Sequence, residues 1–345
     1  MTIKTRKINK IFSRNTNKIN SKLNNNKTKK SRIPTNLLIG CHASITPSIL
    51  DGIQYVSKIG GNAVQIFLGS NRSASMKAKT KITPEDVDMI RKYCQESKMV
   101  LIIHSIYLLN FCKYPPNSGR IAYAHENLQH DLKWGAELGA KCVVLHLGFK
   151  NELTMEEALE NLAANINKIL REMPKGIMLS LETSAGQGSQ FGYSLEALEL
   201  LWNKIKHNNK DSKGGKGGKG IRRVGFCIDT AHIFVSGYDI STVAGIRDYL
   251  EKFNRMIGTA NIINFHINDS RFAMGSRKDE HRGIGQGLIY NDDAGKKALK
   301  YIKKFCMAHK IPMILETHGA GSSHERGTHE GVHGYEAEIR LIKGL

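Results

Sequence analysis

Eight short apolar runs, each followed by a stretch with helical periodicity, dominate this chain of 345 residues. The runs fall at residues 37–40, 63–67, 100–104, 141–146, 176–182, 224–229, 260–266 and 311–316. Helical segments are predicted at 47–59, 84–97, 120–138, 155–171, 195–205, from 230 to about 256, from about 290 to 309, and at 335–342. Unbroken apolar strands belong to a sheet covered on both faces, and strand–helix alternation makes that sheet parallel. Eight such units close into an α/β fold of the (β/α)8 TIM-barrel type. An open doubly wound sheet is the alternative, but no Gly-rich phosphate fingerprint opens the first helix.

The first 35 residues stand apart. They carry 11 Lys and Arg, and no acid precedes Asp51. Such a segment cannot bury enough apolar surface to offset its ordering entropy, so residues 1–35 are expected to be a disordered basic tail and 36–345 the catalytic barrel. Residues 208–220, rich in Lys and Gly, read as a flexible insert. The tail's composition suits a nuclear signal, a mitochondrial presequence, a DNA-binding arm or a solvated spacer equally. The whole chain has a net charge of +20, which makes a polyanion the default partner, nucleic acid before membrane. No run approaches the roughly 20 apolar residues of a spanning helix, and no secretory signal is read. The six cysteines (Cys41, Cys94, Cys112, Cys142, Cys227, Cys306) form no CxxC pair. Buried free thiols in a reducing, intracellular compartment are expected.

The strand exits carry the chemistry. They read His42, Gln65, His104, His146, Glu182, Asp229, His266 and Glu316. Seven of these eight are residue types that bind metals, and a barrel builds its site on that rim. One histidine at a strand end is usually a satisfied hydrogen-bonder; six or seven converging groups need another reason. In Val224-Gly225-Phe226-Cys227-Ile228-Asp229-Thr230-Ala231-His232, Asp229 would also serve as an ordinary helix cap. A His and carboxylate set without Cys favours zinc or manganese in a hydrolytic or isomerising role over a structural cage. The segment after the seventh strand adds Asp279 and His281, which with His232 would make a further His/His/Asp group.

Three motifs carry a resemblance to a known family: Leu181-Glu182-Thr183-Ser184-Ala185-Gly186-Gln187-Gly188, Cys227-Ile228-Asp229-Thr230-Ala231-His232 continuing to Gly237-Tyr238-Asp239, and the segment from His266 to Gly287. Across residues 36–318 the chain resembles endonuclease IV, the zinc-dependent apurinic/apyrimidinic (AP) endonucleases of DNA repair. The resemblance implies three metal ions, usually zinc, with manganese an option at some sites. His104, His146 and Glu182 would hold the first. Glu182 would bridge to the second, completed by Asp229, His266 and Glu316. His232, Asp279 and His281 would hold the third. It also implies incision 5′ of an abasic sugar in double-stranded DNA, leaving a 3′-hydroxyl, and removal of blocked 3′ ends. Glu182 would orient the nucleophile, Tyr107 and Leu108 would wedge into the base stack, and Arg72 would touch DNA. A monomer is expected.

Two features depart from the family. Ser73 and Ala74 stand where a Trp often follows the arginine, and Glu280 replaces the usual Arg between Asp279 and His281. Both bear on DNA contacts and not on the metal ligands. His324, His329 and His333 read as solvated. The rival reading is a metal-dependent sugar isomerase or epimerase on the same barrel. It requires neither the Asp279-x-His281 pair nor so large a positive charge.

Overall fold

The computed structural model describes residues 37–208, 223–317 and 334–345. The expected tail, the insert beyond Asn208, and His324, His329 and His333 lie outside the described residues. In chain order the elements are β1 (Ile39–His42), α1 (Ile49–Lys58), β2 (Ala63–Phe67), α2 (Pro84–Ser97), β3 (Val100–His104) and α3 (Ala122–Glu137). Next come β4 (Cys142–His146), α4 (Met155–Glu172), β5 (Met178–Glu182), α5 (Leu195–Asn208), β6 (Val224–Asp229), α6 (Thr230–Val235) and α7 (Val243–Met256). The last are β7 (Ile262–His266), β8 (Asp269–Ser270), β9 (His281–Arg282), α8 (Asp293–His309), β10 (Met313–Leu315) and α9 (Tyr335–Gly344).

Eight parallel strands close a barrel in the order β1-β10-β7-β6-β5-β4-β3-β2, as the apolar runs require. The helices pack outside, and one large apolar cluster fills the space between them and the strands. A separate small cluster, including Ala63, Ile102, Val144, Cys227 and Ile314, plugs the barrel interior. Helix starts follow the sequence: Thr83 and Thr154 cap α2 and α4 with reciprocal bonds to Asp86 and Glu157, worth about 1 kcal/mol each.

Register delivers the rim. His146 pairs with Glu182, and Asp229 with His266. The second pairing depends on an irregularity. Phe226 pairs with Ile262, yet Cys227 pairs with Asn264, so β7 takes one extra residue there. An unbroken ladder would set Asp229 opposite Phe265, with the imidazole of His266 one step out of level.

The structure departs from the sequence expectation in three places. The helix expected from 230 to 256 is two, because Gly237 adopts a left-handed φ of 115° and Thr242 caps a new start. The last strand is Met313–Leu315 alone, with Glu316 just beyond it. The long loop after β7 holds a small antiparallel sheet, β8 with β9.

Candidate metal centre

Glu182 stands at the middle of the rim, buried at the exit of β5. Its Oε2 lies 3.3 Å from Nε2 of His104 and 2.9 Å from Nε2 of His146. Its Oε1 lies 2.9 Å from Nδ1 of His266. That same nitrogen is 3.0 Å from Glu316 Oε2 and 3.7 Å from Asp229 Oδ2. The two oxygens of one carboxylate thus face two different donor groups. Next to them His232 Nε2 meets Asp279 Oδ2 at 3.1 Å, and His281 Nε2 lies 3.3 Å from Asp279 Oδ1 and 3.8 Å from Asp229 Oδ2. The rim thereby brings together all nine sequence-predicted ligands: His104, His146, Glu182, Asp229, His232, His266, Asp279, His281 and Glu316. Among the described residues five sets have donor atoms within 4.8 Å of one another: His104–His146–Glu182, Glu182–Asp229–His266–Glu316, Asp229–His232–His281, His104–His266–Glu316 and Glu182–Cys227–His266. Asp229 therefore adjoins the third group as well as the second. It also caps α6, its Oδ1 accepting from the His232 backbone N–H at 3.0 Å.

The histidines test whether a cation belongs here. His104 Nδ1 lies 2.6 Å from the Ser105 carbonyl, and His232 Nδ1 lies 2.7 Å from the Thr183 carbonyl. A carbonyl only accepts, so each ring carries its proton on Nδ1 and turns the Nε2 lone pair toward carboxylate oxygens. Lone pairs facing carboxylates at such distances repel unless a proton or a metal ion lies between them. A tetrahedral zinc with ligands at about 2.0–2.1 Å sets its donors roughly 3.3 Å apart, and the pairs above span 2.9–3.8 Å. His281 Nε2 is buried with no hydrogen-bond partner, although it adjoins two carboxylates. Outer bonds that fix the tautomer, with each inner nitrogen aimed at a carboxylate, are the pattern of ligand histidines. The residues fit divalent ions.

Titration follows the same field. Burial alone would raise Glu182, yet His146 and His266 hold it well below the usual carboxylate range. Burial opposes charge on His232 and His266, but the surrounding acids, with Cys227 beside His266, lift both well above the ordinary histidine value. His281 is likewise opposed by burial and lifted to about 9 by Asp229 and Asp279.

The residues expected to touch DNA lie on loops that follow β2 and β3. Tyr107 and Leu108 are 46% and 48% exposed at the tip of the loop after β3. The loop beneath them is pinned: Asn165 donates to the Phe111 and Tyr114 carbonyls, Asn161 to that of Cys112, and Asn110 to that of Phe149. Tyr107 also packs its ring 5.0 Å from that of His146, so it combines packing with exposure. Arg72 is exposed on the loop after β2. Glu280 accepts from Arg271 at 2.7 Å and lies 3.4 Å from an Arg282 nitrogen, so two arginines of the same loop offset its charge.

Asp279 and His42 are in none of the ligand groups found among the described residues. Asp279 still has its oxygens 3.1 and 3.3 Å from His232 Nε2 and His281 Nε2, whereas His42 has its Nδ1 3.7 Å from Glu316 Oε1, which counts against its inclusion among the possible ligands at the strand ends. His42 packs on Phe67, with ring centroids 4.4 Å apart. Sequence reasoning passed over Gln65 and Asp269. Gln65 is fully buried and bonds to His266 and Glu316. Asp269 accepts four backbone N–H groups at 2.8–3.3 Å. The available signal was a polar side chain in an otherwise apolar strand, Ala63-Val64-Gln65-Ile66-Phe67.

Residues 53–343 match the family of xylose isomerase-like TIM barrels. A putative endonuclease 4 of Acanthamoeba polyphaga mimivirus is 30% identical over 284 residues, which cover 81% of this chain and 85% of the relative. The chain belongs to the endonuclease IV family. The solved endonuclease IV of Thermus thermophilus is 24% identical, with a TM-score of 0.67 over 89% of this chain and 97% of that one. An L-ribulose 3-epimerase superposes with a TM-score of 0.57 at 14% identity, covering 89% of this chain and 92% of its own. The fold is thus common to the endonuclease IV family and sugar epimerases, and the rim side chains have to separate them.

Proposed function

We propose that this chain, a nuclease by family, hydrolyses the DNA phosphodiester on the 5′ side of an abasic sugar, leaves a 3′-hydroxyl, and also clears blocked 3′ ends. The observation that carries the reading is Glu182, whose two oxygens face separate donor groups with a third group beside them. His104, His146 and Glu182 would hold one ion, Glu182, Asp229, His266 and Glu316 a second, and His232, Asp279 and His281 a third. Divalent ions, zinc foremost with manganese an alternative, would supply Lewis acidity toward phosphate and lower the pKa of the attacking water. Glu182, fixed by three histidines, would orient that water. Tyr107 and Leu108 would enter the base stack at the lesion. The cost of unstacking, a few kcal/mol, is least where a base is already missing. Arg72 would meet a backbone phosphate and set position without reading sequence.

A sugar isomerase on this barrel manages with one or two ions and has no use for the His232–Asp279–His281 group. The deciding experiment is incision of a duplex carrying one abasic analogue, using chelator-treated protein with and without added zinc. Zinc-dependent cutting 5′ of the lesion with a 3′-hydroxyl product is expected. A folded, metal-replete protein that leaves this duplex intact but turns over small ketoses would replace the reading with the isomerase one.

A further inference from the structure

Gln65, buried in the middle of β2, touches two of the predicted ligands of the middle ion with opposite polarity. Its Oε1 lies 2.8 Å from His266 Nε2, and its Nε2 donates to Glu316 Oε1 at 2.6 Å. The second amide hydrogen points to His42 Nδ1 at 3.0 Å. These three contacts decide which way the amide faces. Turned over, it would set a carbonyl oxygen against the Glu316 carboxylate, two acceptors at short range. With the amide so fixed, its oxygen can only accept, and His266 must carry a proton on Nε2. The His266 Nδ1 lone pair is then committed to the space shared by Glu182 and Glu316, 2.9 and 3.0 Å away. Glu316, with Oε1 held by the amide, turns Oε2 to the same space.

We propose that Gln65 is the positioning residue of the middle ion site: one neutral amide sets the tautomer of His266 and the rotation of Glu316 together. No other uncharged side chain of this length accepts from an imidazole and donates to a carboxylate at once. A glutamate would repel Glu316, and an apolar residue would free both ligands to rotate. The proposal rests on the metal reading of the rim.

The test replaces Gln65 by Met, which keeps length and loses both bonds, and by Leu, which carries the test if the Met variant does not fold. Zinc stoichiometry is measured by elemental analysis and affinity by competition with a chelator. Thermal unfolding of the metal-free proteins is followed in parallel. Loss of an outer-shell partner typically weakens a metal about 10–100-fold. The expected result is a loss of that size for one ion with the other ions retained; the two buried partners left unpaired lower the metal-free Tm without spreading the loss to the other ions. Unchanged affinity overturns the proposal, and so does a uniform weakening of all ions with a fallen metal-free Tm, which would mark Gln65 as a packing residue. A wild-type chain that binds no zinc overturns the metal reading and this proposal with it.

Discussion

The rim holds its candidate ligands by two different means. His104, His146, Glu182, Asp229 and His266 are the last residues of five barrel strands, and their positions follow from ladder register across the sheet. Asp279 and His281 lie on the segment between β7 and α8, and no barrel strand holds them. That segment is tied by Asp269, whose oxygens accept from the backbone of Ser270, Gly285, Ile289 and Tyr290, and by Glu338 of α9, which accepts from Ile284 N at 2.7 Å. Exposure follows the difference except at His146, a strand end whose side chain is 24% exposed. The Glu182 and His266 side chains are 1% and 0% exposed, those of Asp279 and His281 28% and 17%. Strand ends inherit rigidity from the whole barrel, whereas the loop pair depends on a local knot that a single substitution can loosen.

The largest expected effect lies on the strand side. Glu182→Gln keeps the shape of the side chain and removes the charge shared by two donor groups. Turnover on an abasic duplex is expected to fall by about 10³-fold or more, the upper range for loss of one preorganised electrostatic contact. Circular dichroism should show the barrel retained. Near-wild-type turnover in the metal-replete variant would mean that the bridging position is not where the reaction is organised.

The two means of support also explain what could be read in the sequence. Apolar runs ending in His, Asp or Glu are local patterns, so eight strand exits and nine ligand candidates were visible one segment at a time. The devices that align them are not local. The extra residue of β7 opposite the Phe226–Cys227 step appears only when two strands are laid side by side. Gln65 bonds to Glu316 across 251 positions and to His266 across 201. Asp269 resembles any polar residue of a turn until its four backbone partners, as far away as Tyr290, fold back over it. What the sequence hid was the support beneath the ligands, since support is made of contacts between distant segments.

A substitution in the knot should separate the two regions. In Asp269→Asn, the amide group takes the place of one oxygen and faces backbone N–H groups that it cannot accept from, at about 1–3 kcal/mol for each orphaned donor. The ion of the loop pair is expected to weaken by about 10-fold or more, while the ions of the strand-end groups hold. Thermal shift gives a second reading. Zinc at 100 times its dissociation constant adds about 2.7 kcal/mol per site, roughly 5 °C in a domain of this size. Asp269→Asn should lose the part due to one site. Equal weakening of all ions would show that the loop and the strand ends form one mechanical unit.

The smallest effect is expected at Glu280, between the two loop ligands. Arg271 and Arg282 close over its carboxylate at the surface. Exposed pairs of this kind contribute about 0–1 kcal/mol, so Glu280→Arg should leave folding and zinc affinity unchanged. It removes an anion from the face expected to meet phosphate and adds a cation. If that face lies on DNA, the slope of log K against log salt should steepen by about 0.9 for each new phosphate contact, and affinity at low salt should rise several-fold. A slope equal to the wild type's would place Arg271, Glu280 and Arg282 away from the duplex. The loop would then serve the reaction through Asp279 and His281 alone, and the positive charge that attracts DNA would have to act elsewhere on the chain.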